Sequence, residues 1–245
     1  MNDVIRLLQS HRSIRKFVNK PIDQETLNCI VAAGQAAATS SNVQATTVIQ
    51  VANPQTREKL AQAAGGQKYV ETAGAFFVFC ADLKRSAQAC ALQGGEFSQG
   101  MTEHFIIATI DVGLFAQNCA VAAESLGMGV CYIGGLRNNP VDVSRLLDLP
   151  VDVYPVFGLC IGYPDQEPEV KPRLPLDAVL MQETYKPEVL EPGITIYDEH
   201  IRTYYRSRTG GKKDSCWSEE MRALVGKESR PHMREFLRSK GFKMQ

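Results

Sequence analysis

TEHFIIATIDVGLFAQNCAVAAESL, residues 102–126, runs directly into GMGVCYIGG, residues 127–135. Apolar residues dominate from Phe105 to Ala123, interrupted by Asp111, Gln117 and Asn118. The spacing predicts a long helix from about Thr102 to Leu126, and the polar interruptions favour a buried helix over a membrane span. VCYI, residues 130–133, predicts a strand that ends at Gly134-Gly135, after which Pro140 opens a short helix.

On the N-terminal side, Asn2 and Asp3 cap a first helix carrying Val4, Ile5, Leu7 and Leu8. Asp23 opens a second, with Leu27, Ile30, Val31 and Gly34 on one face. TTVIQV (46–51) predicts a strand bounded by Asn53-Pro54, where a helix begins that stops at Gly65-Gly66. AFFVFCA (75–81) is a continuous apolar run, as a strand buried on both faces requires. Residues 84–95 are polar and end in two glycines, which predicts a mobile surface excursion. YPVFGLCIG (154–162) is the last core strand, and the prolines at 164, 168, 172 and 175 hold the following segment extended. Beyond about Leu176 the sequence offers helices and no clear strand. Mixed helices and strands with few hairpin signals give an α+β or α/β fold. Residues 1–175 form the expected core and 176–245 an appended helical arm or cap within one integrated domain.

The 245 residues are 44% hydrophobic and 22% charged, with 27 basic side chains against 27 acidic ones. Bulk attraction to nucleic acid or to an anionic membrane is therefore not the organising feature. Seven cysteines, an odd number without a C-x-x-C pair, predict buried reduced thiols and a cytoplasmic protein. MNDVIRLLQSHRSIRK has no continuous apolar stretch and does not read as a secretory signal. Residues 201–245 carry 12 Lys/Arg and 5 Asp/Glu, a local excess of 12 − 5 = +7. That excess is either a solvated helical surface or a face for an anionic cosubstrate, with Arg206, Arg208, Lys212, Lys213 and Arg230 as its candidates.

Four stretches have the residue types for ligand chemistry. His11-Arg12-Ser13-Ile14-Arg15-Lys16 gathers four potential cations and a hydroxyl, suited to phosphate or carboxylate oxygens or else to a solvated basic turn. In Lys171-Pro172-Arg173 an extended backbone points both cations the same way, so the two basic elements together suit one phosphate dianion. Tyr132-Ile133-Gly134-Gly135 ends a strand with paired glycines, which either let the backbone approach a planar ligand or simply make a turn. Thr39-Ser40-Ser41-Asn42-Val43-Gln44 offers hydroxyls and amides between a helix and a strand.

Other signals are weaker. Gly94-Gly95-Glu96-Phe97 spells a cyclic-dinucleotide synthase string but lacks the flanking apolar strands that the string needs. No G-x-G-x-x-G follows a strand, no G-x-S-x-G occurs, and Gly210-Gly211-Lys212-Lys213 is not a complete P-loop. The four histidines lack metal-ligand spacing, so no metal site is expected.

Seven blocks in order, HRSIRKF (11–17), SSNVQ (40–44), GGQKYV (65–70), AAESLGMGVCYIGGLRNNP (122–140), FGLCIGYP (157–164), KPRLP (171–175) and ESRPH (228–232), resemble the nitroreductase-like flavoproteins. The closest likeness is to the NADPH-dependent oxygen-insensitive nitroreductases and NADPH–FMN oxidoreductases. This resemblance implies an α+β three-layer fold with a central, mostly antiparallel sheet flanked by helices. It also implies an intertwined homodimer, with a tightly bound, non-covalent FMN in each of two sites built by both chains.

On that pattern His11, Arg12, Ser13, Lys171 and Arg173 face the FMN phosphate, and Arg15 lies at the N1/O2 edge of the ring. Thr39, Ser40 and Gln67 supply ribityl and ring contacts, and Tyr132, Ile133, Gly134 and Gly135 back the ring. Arg208 and Arg230 bind NADPH, and Arg208 matches the position used for its 2′-phosphate. No side chain acts as the catalytic acid: the flavin N5 reacts, in ping-pong turnover, with NADPH and then with a nitroaromatic, quinone or flavin acceptor. A flavin reductase supplying reduced FMN to a partner monooxygenase or luciferase is the alternative. Neither nucleic acid nor membrane is expected as a partner. Two departures stand out: Ala45-Thr46 replaces the Pro-Trp common in the wider family, and Ala38-Thr39-Ser40-Ser41 replaces a serine-only run.

Overall fold

A computed structural model describes all residues, 1–245. The elements in chain order are α1 (Asp3–Gln9), α2 (Gln24–Gln35), β1 (Thr46–Gln50), α3 (Pro54–Ala63), α4 (Tyr69–Thr72), β2 (Ala75–Asp82), α5 (Lys84–Leu92), α6 (Thr102–Ser125), β3 (Gly129–Ile133), α7 (Pro140–Leu146), β4 (Val153–Gly162), α8 (Leu190–Thr209), α9 (Trp217–Leu224) and α10 (Met233–Ser239). The chain divides into two compact units, residues 1–167 with 232–245, and residues 168–231. The sequence placed the division at 175/176 with all later residues in one arm. Instead α10 and the tail return to the first unit, because Phe236 and Phe242 are core side chains. Phe242 packs edge-on against Tyr154 and Phe105.

In the first unit four strands form one antiparallel sheet in the order β1-β2-β4-β3. Alternation along β2 feeds two cores. Phe77 and Phe79 face the layer containing α2 and α6, whereas Phe76, Val78 and Cys80 face the layer built on α3 and α7. The helix starts follow from the caps: Asn2, Asp23 and Asn53 each accept a hydrogen bond from the backbone N–H three residues on. Beyond β3, residues 13–17 run along the sheet edge. Ser13 pairs with Val130, Phe17 pairs with Pro164, and the Ile14 N–H donates to the Val130 carbonyl at 2.9 Å. That close approach requires Gly129, since a Cβ there would strike the Ile14 side chain.

Residues 84–95, expected as a mobile surface excursion, do lie at the surface but carry regular structure. Most of them form α5, a surface helix with no buried residue, started by Asp82, whose carboxylate accepts the Lys84 N–H at 2.9 Å. Helix α6 is only partly the buried helix expected. Ala108, Val112, Ala116, Cys119, Ala120 and Ala123 pack inward, but Ile106, Ile110 and Leu114, spaced i, i+4, i+8, are exposed. By length and composition it is the one helix apolar enough to cross a membrane, yet in this fold it lies against the sheet.

In the second unit, α8 presents Tyr197, Ile201, Tyr204 and Tyr205 as a small core that Leu174 and Trp217 complete. Helix α8 stops at Gly210, in the left-handed conformation at φ 58°.

Candidate functional site

The strongest side-chain convergence in the first unit gathers at the end of β3. Gly134 and Gly135 open a 3₁₀ turn there, whose first amides have no carbonyl partner inside the turn. A Cβ on Gly135 would lie 2.6 Å from the Gln67 amide nitrogen and would collide with the Ala64 carbonyl, so only glycine fits. The Gln67 side chain is fixed at both ends: its nitrogen donates to the Ala64 carbonyl at 2.8 Å and its oxygen accepts from the Tyr69 hydroxyl at 2.6 Å. Arg15 completes the cluster from beside Tyr69, near enough for its charge to act on the phenol. Burial raises the pKa of Tyr69, with Arg15 pulling the other way, so the hydroxyl stays protonated and keeps its bond to Gln67.

Arg15 engages no carboxylate. Burial pushes the neighbouring Cys131 thiol up and Cys160 well up, so neither supplies a compensating thiolate. An uncompensated guanidinium, a fixed amide and a glycine turn make a flat, polar edge suited to a planar heterocycle that gathers negative charge. Tyr69 was not singled out from the sequence, although GGQKYV contained it.

The other predicted residues are distributed as follows. His11 bonds through Nδ1 to Glu124 at 2.7 Å, and Arg12 reaches Glu167 at 3.3 Å. Arg12 also lines a cleft of about 170 Å³ with Ser10, Ile14, Glu124 and Gly129. The Tyr132 side chain points to the α6 face, where it packs edge-on against Phe157, while Ile133 is buried on the opposite face. Only the backbone after Tyr132 thus reaches the Arg15–Gln67 cluster.

Thr39 and Ser40 also lie on the α6 side. Thr39 lines a separate cavity of about 440 Å³ with Gln35, Gln44, Thr46 and Phe115. One unit therefore does not bring Thr39 and Ser40 to Arg15, Gln67 and Gly135. Their loop holds Ser41, Asn42 and Gln44 at φ of 47°, 58° and 54°, conformations costly for side chains other than glycine. It is tied to α6 by Asp111, whose two carboxylate oxygens accept the Ser40 and Ala45 amides at 3.1 and 3.3 Å. The sequence showed Asp111 only as an interruption in an apolar helix, and its position carried no signal of that tie.

In the second unit, Lys171 and Arg173 lie against α8. Tyr197 donates to the Pro172 carbonyl at 2.9 Å, Lys171 donates to the Tyr205 hydroxyl at 2.8 Å, and Arg173 folds back on the Lys171 carbonyl at 2.9 Å. The proposed cationic face is smaller than its composition suggested. Arg206 is paired with Asp214, and Lys213 with Glu220, while Arg208 keeps only the Tyr204 hydroxyl at 3.2 Å and its ring. Arg230 stands at φ 53°, in the left-handed region. No group of three or more His, Cys, Asp or Glu side chains gathers to hold a metal.

Residues 8–163 match the Nitroreductase family, and residues 171–245 match the Nitroreductase family, C-terminal domain. The chain is 44% identical to the NADPH-flavin oxidoreductase of Vibrio harveyi over 98% of each chain. It is 39% identical to the oxygen-insensitive NADPH nitroreductase of Salmonella typhimurium over 99% of each. Among solved structures it is similar to NfrA1 of B. megaterium, at TM-score 0.96 and 46% identity over 99% of this chain and 100% of that one. With both halves matched and full-length relatives well above 30% identity, the chain belongs to the nitroreductase family.

Proposed function

We propose that the chain is an FMN-dependent NADPH oxidoreductase that reduces nitroaromatics and quinones by two-electron transfer in ping-pong turnover. The observation that carries the reading is the Arg15–Tyr69–Gln67–Gly135 cluster: a charged, preorganised edge without a carboxylate to quench it. Those residues fit a flavin ring, and FMN when bound supplies hydride exchange between NADPH and the acceptor. Arg15 places positive charge where the ring edge gains negative charge, and Tyr69 and Gln67 keep that edge from rotating. Gly134 and Gly135 let the backbone approach the ring. In this reading His11, Arg12 and Ser13 bind the FMN phosphate, as do Lys171 and Arg173, while Arg208 and Arg230 bind NADPH.

The site is proposed to need two chains. Thr39 and Ser40 lie on the opposite sheet face from Arg15, so a second copy has to bring them to the ring. The exposed Ile106, Ile110 and Leu114 of α6 supply an apolar stripe for that homodimer. Nucleic acid and membrane are left out as partners, and the cytoplasm is the proposed setting, supported by seven cysteines without a disulfide. A second reading is a flavin reductase that hands reduced FMN to a partner monooxygenase or luciferase; its flavin-reducing half is favoured by the likeness to the NADPH-flavin oxidoreductase of Vibrio harveyi.

A visible spectrum of the purified protein before and after anaerobic NADPH tests the central claim: a yellow protein that bleaches supports it, and a colourless or unresponsive one overturns it. Steady-state rates with free FMN against nitrofurazone then separate the two readings.

A further inference from the structure

Within residues 168–231, Lys171 sits at the end of a directed chain of hydrogen bonds. Its ammonium donates to the Tyr205 hydroxyl at 2.8 Å. A phenol has one proton, and with its lone pair occupied by Lys171, Tyr205 donates to the Glu220 carboxylate at 2.9 Å. The other Glu220 oxygen is taken by Lys213, whose ammonium also stands 3.6 Å from the Tyr205 ring centroid. Tyr205 is 5% exposed, so the hydroxyl is held by packing as well as by its bonds.

This arrangement differs from the ion pairs around it. Arg202 and Arg206 meet Asp214 and Glu219 directly, which neutralises them. Lys171 is kept one hydroxyl away from a carboxylate that Lys213 already satisfies. It therefore keeps its charge and two of its three N–H donors, while its flexible four-carbon stem is ordered in advance.

We propose that Tyr205, backed by Glu220, is a positioning residue that presents the Lys171 ammonium to the phosphate of the bound flavin mononucleotide. The inference rests on the FMN reading above and deepens it. Tyr205 itself touches no cofactor; it acts through Lys171.

The test titrates full-length protein stripped of flavin with FMN and, separately, with riboflavin, which has the same ring and no phosphate, following flavin fluorescence. Tyr205→Phe is expected to weaken FMN about 10-fold, the scale of one hydrogen bond to a charged group, and to leave riboflavin within about twofold. Glu220→Gln, which keeps the shape and removes the charge, is expected to weaken FMN about threefold by the same scale. In a Lys171→Met background Tyr205→Phe is expected to change FMN affinity less than about twofold, because the lysine it serves is gone. Equal losses for FMN and riboflavin overturn the proposal and make Tyr205 a packing residue. So does a 10-fold FMN loss that persists without Lys171, or no FMN loss in either Tyr205→Phe or Glu220→Gln. Unmodified protein that binds riboflavin as tightly as FMN would instead remove the phosphate site, and with it the reading on which this inference stands.

Discussion

Replacing Asp111 with asparagine probes the loop that carries Thr39 and Ser40. The Asp111 carboxylate is 1% exposed and accepts the Ser40 amide through one oxygen and the Ala45 amide through the other. Asparagine keeps one acceptor and turns an NH₂ group towards the second amide. The two amides differ in what they can recover: Ser40 is exposed and can turn to water, whereas Ala45 is wholly buried. With Ser40 recovered by water, the cost is that of the orphaned buried donor, so the expected loss is about 1–3 kcal/mol. The left-handed residues Ser41, Asn42 and Gln44 add to the effect, because the carboxylate is part of what holds them there. Urea unfolding at one fixed protein concentration measures the loss, and flavin content after gel filtration reports on the loop. A loss below about 1 kcal/mol with flavin retained refutes the reasoning, since it would show that the amides find other partners.

Three further outcomes follow from the geometry. Arg208→Ala should raise the NADPH KM about tenfold while kcat changes little, because Arg208 engages no carboxylate and its expected partner is the cosubstrate; an unchanged KM removes that assignment. Ile110→Asp places a charge on a residue that is 54% exposed in one chain and buried in the proposed dimer. Sedimentation should then show monomers without flavin, and an intact dimer would place the interface elsewhere. Burial pushes the thiols of Cys80 and Cys119 up to about 12, while Cys29 is exposed and Cys90 half-buried. A thiol reagent at pH 8 should therefore label no more than those two sites quickly in the native chain and all seven in denaturant, and fast native labelling of a third contradicts the packing.

The elements written in local chemistry were legible in the sequence. Asp23 and Asn53-Pro54 announced helices because a cap acts on amides three residues away. AFFVFCA announced a central strand because every one of its positions needed burial. Helix α5 was not legible: KRSAQACAL buries none of its residues, so it has no apolar face to betray its period. Asp111 was visible but mute, since its amide partners lie 71 and 66 residues away and nothing nearby reports them. The +7 excess, which already subtracts Asp214 and Glu220, gave the net charge but not its placement. Only folding shows that Arg206 and Lys213 are the cations those two acids pair with, while Arg208 engages no carboxylate. Of the candidate site, the glycine pair and the basic stretches could be read as residue types. The role of Tyr69, which holds Gln67 and lies beside Arg15, needed the fold.

The separation of Thr39 and Ser40 from Arg15 by the thickness of the sheet has a genetic consequence on the proposed two-chain site. A chain damaged at Arg15 and another damaged at Asp111 would each be defective when self-paired. Co-expressed, they form hybrids in which both lesions fall into one of the two sites and the other inherits a sound half from each parent. Random pairing of equal amounts would rescue roughly a quarter of all sites, so two crippled alleles would complement each other inside one cell.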